Sequence, residues 1–107
     1  MPREKFRTLT EQMFYILLCL RQECCGMDIM EQIKVMTDGR VAVGPGTLYN
    51  LLEQFCEADM IRATRAEGRR RSYIITVRGM EALAQEVERM EAMLQDYRTC
   101  LKGVLPE

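Results

Sequence analysis

The 107-residue sequence contains no histidine and no tryptophan. Histidine is the commonest general base and metal ligand, and its charge changes near neutral pH. Its absence excludes a histidine-dependent hydrolase triad, a histidine-containing zinc site and a histidine pH switch. Since no nucleophile–base pair or set of metal ligands stands out either, we predict no catalytic site, no cofactor and no bound metal.

Long apolar runs are missing as well. The longest, Met13 to Leu20, is far shorter than the ~20 residues that span a bilayer. The start, MPREKFRTLTEQ, has charges but no apolar segment and no small-residue cleavage site, unlike a secretory signal. We expect a single cytoplasmic domain with no membrane partner.

The five cysteines are odd in number and include no C-x-x-C pair, so reduced thiols are expected. Cys24 and Cys25 are adjacent, and Cys19 lies about one helical turn earlier. Such a group could sense thiol oxidation or hold a soft metal. Free cysteines are nevertheless more often small buried hydrophobic residues, and both interpretations stay open.

Positive charge is concentrated in one short stretch, although the whole chain has a net charge of −1. Residues 61–79 contain six arginines and one glutamate, a balance of +5, whereas residues 1–60 and 80–107 are each at −3. An asymmetry of this kind indicates local contact with a polyanion.

Apolar periodicity predicts three helices before this stretch. The first is TLTEQMFYILLCLRQE, where Thr8 and Glu11 have capping-box spacing, and the second is MDIMEQIKVMT. The segment RVAV between helices two and three is predicted as a brief strand. The third helix spans about 45–58, and its apolar residues recur at i, i+3, i+4 and i+7: Leu48, Leu51, Leu52 and Phe55.

The period then changes to two, which predicts a β-hairpin over residues 61–77 with Glu67-Gly68 at its turn. Three consecutive arginines lie at its tip: Arg69, Arg70 and Arg71.

One long helix follows, with Thr76 as its expected N-cap. Its apolar residues alternate at spacings of three and four, which is a heptad pattern: Met80, Leu83, Val87, Met90, Leu94, Tyr97, Leu101 and Val104. Since such a seam usually pairs with another helix, we predict that the residues from Met80 to Leu101 in this set form a homodimer interface.

The order of elements predicts a mainly α fold with a small β-hairpin. It comprises a winged helix-turn-helix over residues 1–79 and a long C-terminal dimerisation helix over residues 80–107. In this fold the helix before the hairpin enters the major groove of DNA, and the hairpin lies along the backbone or in the minor groove.

The sequence resembles the PadR-type transcriptional regulators over about residues 8–103. The family's P-G-T-L-Y start of the recognition helix and its R-x-Y-x-L-T-x-x-G wing are matched by nine residues: Pro45, Gly46, Thr47, Leu48, Tyr49, Arg71, Tyr73, Thr76 and Gly79. CCGMDIMEQI resembles the H-G-Y-E-I motif and keeps Gly26 and Ile29. The single C-terminal helix resembles the short subfamily.

The sequence departs from the family at several points. Cys25 and Met27 replace the usual His and Tyr, and Asp59 replaces a Gly after the recognition helix. Asp tolerates the left-handed conformation that this turn requires. Because tryptophan is absent, the aromatic drug-stacking pore of some short relatives is not implied.

The glycines before the third helix lack the Lys and Ser/Thr of a nucleotide-binding P-loop. Either they form a plain loop before a core helix, or Gly46 lets the helix N-terminus approach a DNA phosphate closely. Thr47, Tyr49 and Asn50 lie in the first turns, from which a recognition helix reaches base edges. We therefore predict that Gly46, these three residues and the three wing arginines contact DNA.

These observations predict a sequence-specific regulator that binds double-stranded DNA as a homodimer and represses transcription from a palindromic operator. The family resemblance also implies a small apolar or aromatic effector. Two alternatives are a winged-helix module that binds another protein, and a regulator that senses thiols or soft metals through Cys24 and Cys25.

Overall fold

The computed structural model describes residues 6–104, with Val104 described by its backbone alone. Within this range the chain forms four helices and a three-stranded antiparallel sheet, which confirms the predicted mainly α fold with a hairpin and a long last helix. The elements are α1 (Glu11–Cys19), β1 (Cys24–Cys25), α2 (Gly26–Met36), α3 (Pro45–Glu57), β2 (Ile61–Glu67), β3 (Arg70–Ile75) and α4 (Val77–Val104).

The start of α1 differs from the prediction. Its N-cap is Thr10 rather than Thr8, and the Thr10 hydroxyl accepts a hydrogen bond from the backbone N–H of Met13 at 3.2 Å. Residues before the cap pack onto the core instead of extending the helix. The N–H of Leu9 donates to the carboxylate of Glu86 at 3.0 Å, a partner so distant in sequence that spacing within the helix could not reveal it.

The RVAV segment is not a strand, so that prediction was wrong. The N–H of Val41 donates to the Thr37 hydroxyl at 3.0 Å, and the carbonyl of Ala42 accepts from the side chain of Gln12 at 3.1 Å. Side chains thus satisfy backbone groups that a partner strand would otherwise have bonded. Val41 and Val43 are buried in the core, which explains their apolar alternation.

The third strand of the sheet, β1, lies between the first two predicted helices and was not predicted as a strand. The strand order is β1-β3-β2. Cys24 pairs with Tyr73 and Cys25 with Ser72. Because β1 leads directly into α2, this pairing attaches the start of α2 to the hairpin.

The core lies where the apolar faces of α1, α2 and α3 meet. All four residues predicted for the buried face of α3 are buried, with Leu48 and Phe55 fully inaccessible. Phe6 packs on Phe55 with ring centroids 5.3 Å apart. Each fully buried side chain of this size stabilises the fold by roughly 1.5–3 kcal/mol relative to exposure, and α3 is therefore held mainly through this stripe.

Asp59 adopts the left-handed conformation expected for it, with φ +62°. The N–H of Met60 donates to the carbonyl of Phe55 at 2.9 Å, and that of Asp59 to the carbonyl of Cys56 at 3.0 Å. These two bonds form a Schellman motif, which satisfies the last carbonyls of α3. They end the helix and turn the chain into β2.

Thr76 caps α4 as predicted, since its hydroxyl accepts from the N–H of Gly79 at 3.2 Å. The same hydroxyl donates to the carbonyl of Asp59 at 2.7 Å, and the Thr76 N–H donates to the carbonyl of Met60 at 3.0 Å. A β-carbon placed on Gly79 would collide with that Met60 carbonyl and lie 2.6 Å from a side-chain carbon of Ile75. Glycine is thus needed where α4 crosses the end of α3.

The first turns of α4 belong to the core of the same chain. Leu83 is 8% exposed, and Glu86 is 4% exposed and is the last buried residue of the helix. Burial alone would raise the pKa of Glu86, but hydrogen bonds from Arg89 and from the Leu9 N–H, with the charge of Arg89, lower it below its ordinary value. Among the described residues of α4, none after Glu86 is buried, and we call this part of the helix the arm. The domain boundary at residue 80 stays a prediction.

Replacing Gly79 by Ala should destabilise the protein by about 2–3 kcal/mol, because the contact is with backbone that cannot move aside cheaply. Urea denaturation followed by circular dichroism measures this. Gly103→Ala is the matched control, since a β-carbon at Gly103 in the same helix meets nothing within 4 Å. The control should be as stable as the parent or slightly more stable, and equal stability of the two variants would contradict the close contact.

Candidate nucleic-acid interface

The N-terminus of α3 is exposed and lacks a side-chain cap. Its N-cap is Gly44, which provides no side chain to bond the first N–H groups, and Pro45 follows in the first turn. By contrast, Thr10 caps α1. The unbonded N–H groups and the positive end of the helix dipole make such a terminus suited to an anion.

The two glycines around Pro45 are not required by the fold. A β-carbon placed on Gly44 or Gly46 would meet nothing within 4 Å, and neither has a positive φ. Of the two interpretations left open by the sequence, a plain loop explains Gly44, because glycine is a favoured N-cap residue, but it gives no reason for glycine at position 46. Close approach of another molecule does give one, because a side chain there would hold that molecule away.

The other residues predicted on the reading surface of α3 are also exposed. Thr47 and Asn50 are exposed one turn apart on the helix. Tyr49 is 45% exposed, and its ring rests against Gly26 at the start of α2. The opening turns of α3 therefore present hydroxyl and amide groups beside the uncapped terminus.

The hairpin turn consists of Gly68 and Arg69, one residue later than predicted, since Glu67 pairs with Arg70. Gly68 has φ +62°. The three arginines are exposed, and within residues 6–104 none of them forms an ion pair with a carboxylate. Arg70 and Arg71 point to opposite faces of the sheet because they are consecutive in a strand.

Arg71 lies on the side of the hairpin that faces α3. Burial raises the pKa of Tyr73 and nearby Cys56 adds to the effect, while the charge and hydrogen bond of Arg71 act in the opposite direction. Arg71 is thus beside the buried base of the wing. Among the described residues, the side chains of Arg69 and Arg70 form no hydrogen bond or ion pair.

The seam residues of α4 fall into two groups. Leu83 is buried in the core of its own chain, so it is not available for a partner in the way predicted for the seam. The others are exposed: Met80, Val87, Met90, Leu94, Tyr97 and Leu101. Beyond Glu86 they form an apolar stripe on the arm that no other described element covers.

The buried thiols do not have the character of a sensor. Burial is the main reason that the pKa of Cys24 is raised to about 11, and Asp28, Cys19 and Cys25 act in the same direction. A reactive thiol has a depressed pKa and partial exposure. Among residues 6–104, no three Cys, Asp or Glu side chains come together as possible metal ligands. Neither form of the thiol or soft-metal alternative is favoured.

Two glycines have contacts that the sequence could not predict. Gly26 and Gly79 matched family motifs by residue type. Gly26 approaches Tyr49 and Gly79 approaches the Met60 carbonyl, and both contacts depend on how distant segments pack.

None of the helices within residues 6–104 combines the length and apolar character needed to cross a bilayer.

The model of the transcriptional regulator PadR-like family matches residues 16–85. A transcriptional regulator from Clostridium thermocellum is similar in structure, with a TM-score of 0.72 and 25% identity over 80% of this chain and 88% of that chain. No curated protein matches the sequence significantly.

Two further solved structures share the fold at lower identity. RosR from H. salinarum has a TM-score of 0.65 and 21% identity, covering 89% of this chain and 98% of that chain. The adhesin competence repressor AdcR from Streptococcus pyogenes has a TM-score of 0.60 and 14% identity, covering 94% and 72%.

Cys24 should resist alkylation in the folded protein. A pKa of about 11 in place of 9.0 lowers the thiolate fraction about a hundredfold at neutral pH, and the thiolate is the reacting species. Iodoacetamide labelling followed by peptide mass spectrometry measures the rate at each cysteine. In denaturant the five rates should become similar. Rapid labelling of Cys24 in the folded protein would restore the thiol-sensing alternative.

Proposed function

Since this chain belongs to the PadR-like family of transcriptional regulators, we propose that it is a sequence-specific regulator that binds double-stranded DNA. Helix α3 enters the major groove, and the hairpin places Arg69 and Arg70 against the phosphate backbone or in the minor groove. Thr47, Tyr49 and Asn50 face the base edges. Arg71 contributes positive charge where the hairpin meets α3.

The observation that carries this proposal is the uncapped start of α3, where two glycines face open space. A phosphate at this position would accept hydrogen bonds from free N–H groups and interact favourably with the helix dipole. Gly46 would let the phosphate come close without meeting a side chain. Such a contact would fix the register of α3 on the duplex, while the neighbouring side chains read sequence.

We further propose that the protein acts as a homodimer through the exposed stripe of α4. From Val87 onward no described residue of the arm is buried, yet the arm keeps its heptad spacing. A second copy with the same stripe would cover these side chains in a two-fold interface. Dimerisation would then place two α3 helices on half-sites about one helical turn, ~34 Å, apart in a palindromic operator.

The regulatory outcome that we propose is repression relieved by a small apolar or aromatic effector. The family resemblance supports the effector, and the methionines of the arm suit an adaptable apolar surface. An effector bound beside the arm would change the angle between the two arms. The spacing of the two reading helices would then no longer match the operator.

Arg69→Ala and Arg70→Ala should each weaken binding to all duplexes by a similar factor. Each lost phosphate contact should reduce the slope of log K against log salt by about 0.9. Fluorescence anisotropy over a salt series measures both quantities. Asn50→Ala should instead weaken binding mainly to duplexes that the parent selects from a random pool, because it removes a base contact.

Arg98→Ala is the matched control for the wing variants, since it removes the same charge from an exposed position on the distal arm. Its salt slope should equal that of the parent. An equal loss for Arg98→Ala would show a diffuse charge effect, and salt-independent binding or no binding to any duplex would favour the protein-binding module.

Leu94→Glu should convert the dimer into monomers, because the charge would be buried in an apolar seam. Light scattering measures the mass of the particle in solution. Gln95→Glu is the matched control, since it places the same charge on the adjacent residue outside the heptad positions. If Leu94→Glu stays dimeric, the arm is not the interface. Leu83 is unsuitable for this test because its substitution would also disrupt the core of the chain itself.

A further inference from the structure

Gly26, the first residue of α2, makes an unusually close contact with α3. A β-carbon placed on Gly26 would lie 2.6 Å from the hydroxyl oxygen of Tyr49, 2.8 Å from its Cε1 and 2.9 Å from its Cζ. Real β-carbons essentially never come this close to atoms to which they are not bonded. The ring of Tyr49 therefore occupies the space that any side chain at residue 26 would need.

The backbone at this position gives no other reason for glycine. Gly26 lies within α2 and does not have a positive φ. As the first residue of α2, directly after the N-cap Cys25, it is not required to be glycine by helix formation either. The room that glycine leaves for the Tyr49 ring does give a reason.

The sheet holds Gly26 in place beneath that ring. β1 immediately precedes Gly26, and its two residues pair with Tyr73 and Ser72 of the hairpin. Cys24 and Cys25 are both buried, so β1 is anchored on its side chains as well as its backbone. The backbone at Gly26, against which the Tyr49 ring rests, is thus fixed relative to the hairpin.

Tyr49 is held on one side and remains open on the other. Its 45% exposure leaves part of the ring and α3's outer surface available to a duplex. Side chains occupy discrete staggered rotamers, and filling the space at residue 26 would exclude the one observed. The ring would move to another rotamer, or α3 would shift relative to α2.

We infer that Gly26 is a positioning residue for DNA recognition, which sets the direction of the Tyr49 side chain on the reading surface without touching DNA itself. This inference rests on the proposed function, because it assigns Gly26 a role in the site formed by the start of α3. Gly26 lies behind α3, on the side away from the duplex, and thereby influences which bases the protein prefers.

A double-mutant cycle tests the inference with four proteins: the parent, Gly26→Ala, Tyr49→Ala and the double variant. Each is measured for binding to duplexes that the parent selects from a random pool, for its own selected base preference, and for stability in urea. Gly26→Ala should weaken binding to the parent's duplexes by about tenfold and change the preferred bases. In the Tyr49→Ala background the same substitution should change neither quantity, since the ring that it displaces is gone.

Gly46→Ala serves as a second control, because it adds the same methyl group to a glycine that faces open space. The variant should be as stable as the parent or slightly more stable, and its effect on stability should be the same with and without the Tyr49 ring. Equal effects of Gly26→Ala in both backgrounds, or an unchanged base preference, would overturn the inference.

The outcomes separate this inference from the proposed function. If the parent binds no duplex, the proposed function fails and the positioning role fails with it. If the parent binds and the cycle is additive, only the positioning role fails. If Gly26→Ala does not fold, the double variant decides: recovery of folding upon removal of the ring supports the inference, and continued failure overturns it.

Discussion

The fold depends on the contact between Gly79 and the carbonyl of Met60, because three functional elements leave the core at that corner. Helix α3 ends there through the left-handed Asp59, the hairpin begins and ends there, and α4 starts there with Thr76 as its cap. The Thr76 hydroxyl and N–H bond the carbonyls of Asp59 and Met60. Short backbone contacts, rather than long side chains, thus fix the directions of the reading helix, wing and arm.

This corner fixes the direction of the arm relative to the core formed by α1, α2 and α3. Leu83 and Glu86 continue the attachment of α4 to the core, and the carboxylate of Glu86 joins the arm to Leu9 ahead of α1. Breaking that buried, charge-assisted bond would cost more than breaking an exposed ion pair such as Arg65–Glu23 at 3.7 Å. In the proposed dimer, a change in the angle between the arms would therefore move the helical core and hairpin of each chain as one unit.

Local patterns in the sequence predicted most of the elements. The i, i+3, i+4, i+7 stripe located α3 and its four buried residues, and the change to a period of two located the hairpin. What failed depends on contacts between distant residues. Thr10 rather than Thr8 caps α1 because Leu9 bonds Glu86, β1 exists because β3 lies beside it, and Val41 is apolar because it enters the core without a strand partner. The heptad spacing of α4 could not reveal that the seam residues differ in burial. Leu83 packs in the core of its own chain, whereas Leu94 is exposed.

The glycines show most clearly what folding adds to the interpretation of a sequence. As letters in motifs, Gly26, Gly46 and Gly79 are equivalent. In the structure, the chain itself occupies the space beside Gly26 and Gly79, with the Tyr49 ring and the Met60 carbonyl, whereas the space beside Gly46 is open. A glycine whose space is filled from within is explained by the fold. A glycine that faces open space at an uncapped helix N-terminus has no such explanation, and the absence of a side chain there matters only to a molecule that approaches from outside. This contrast locates the proposed phosphate contact at the start of α3.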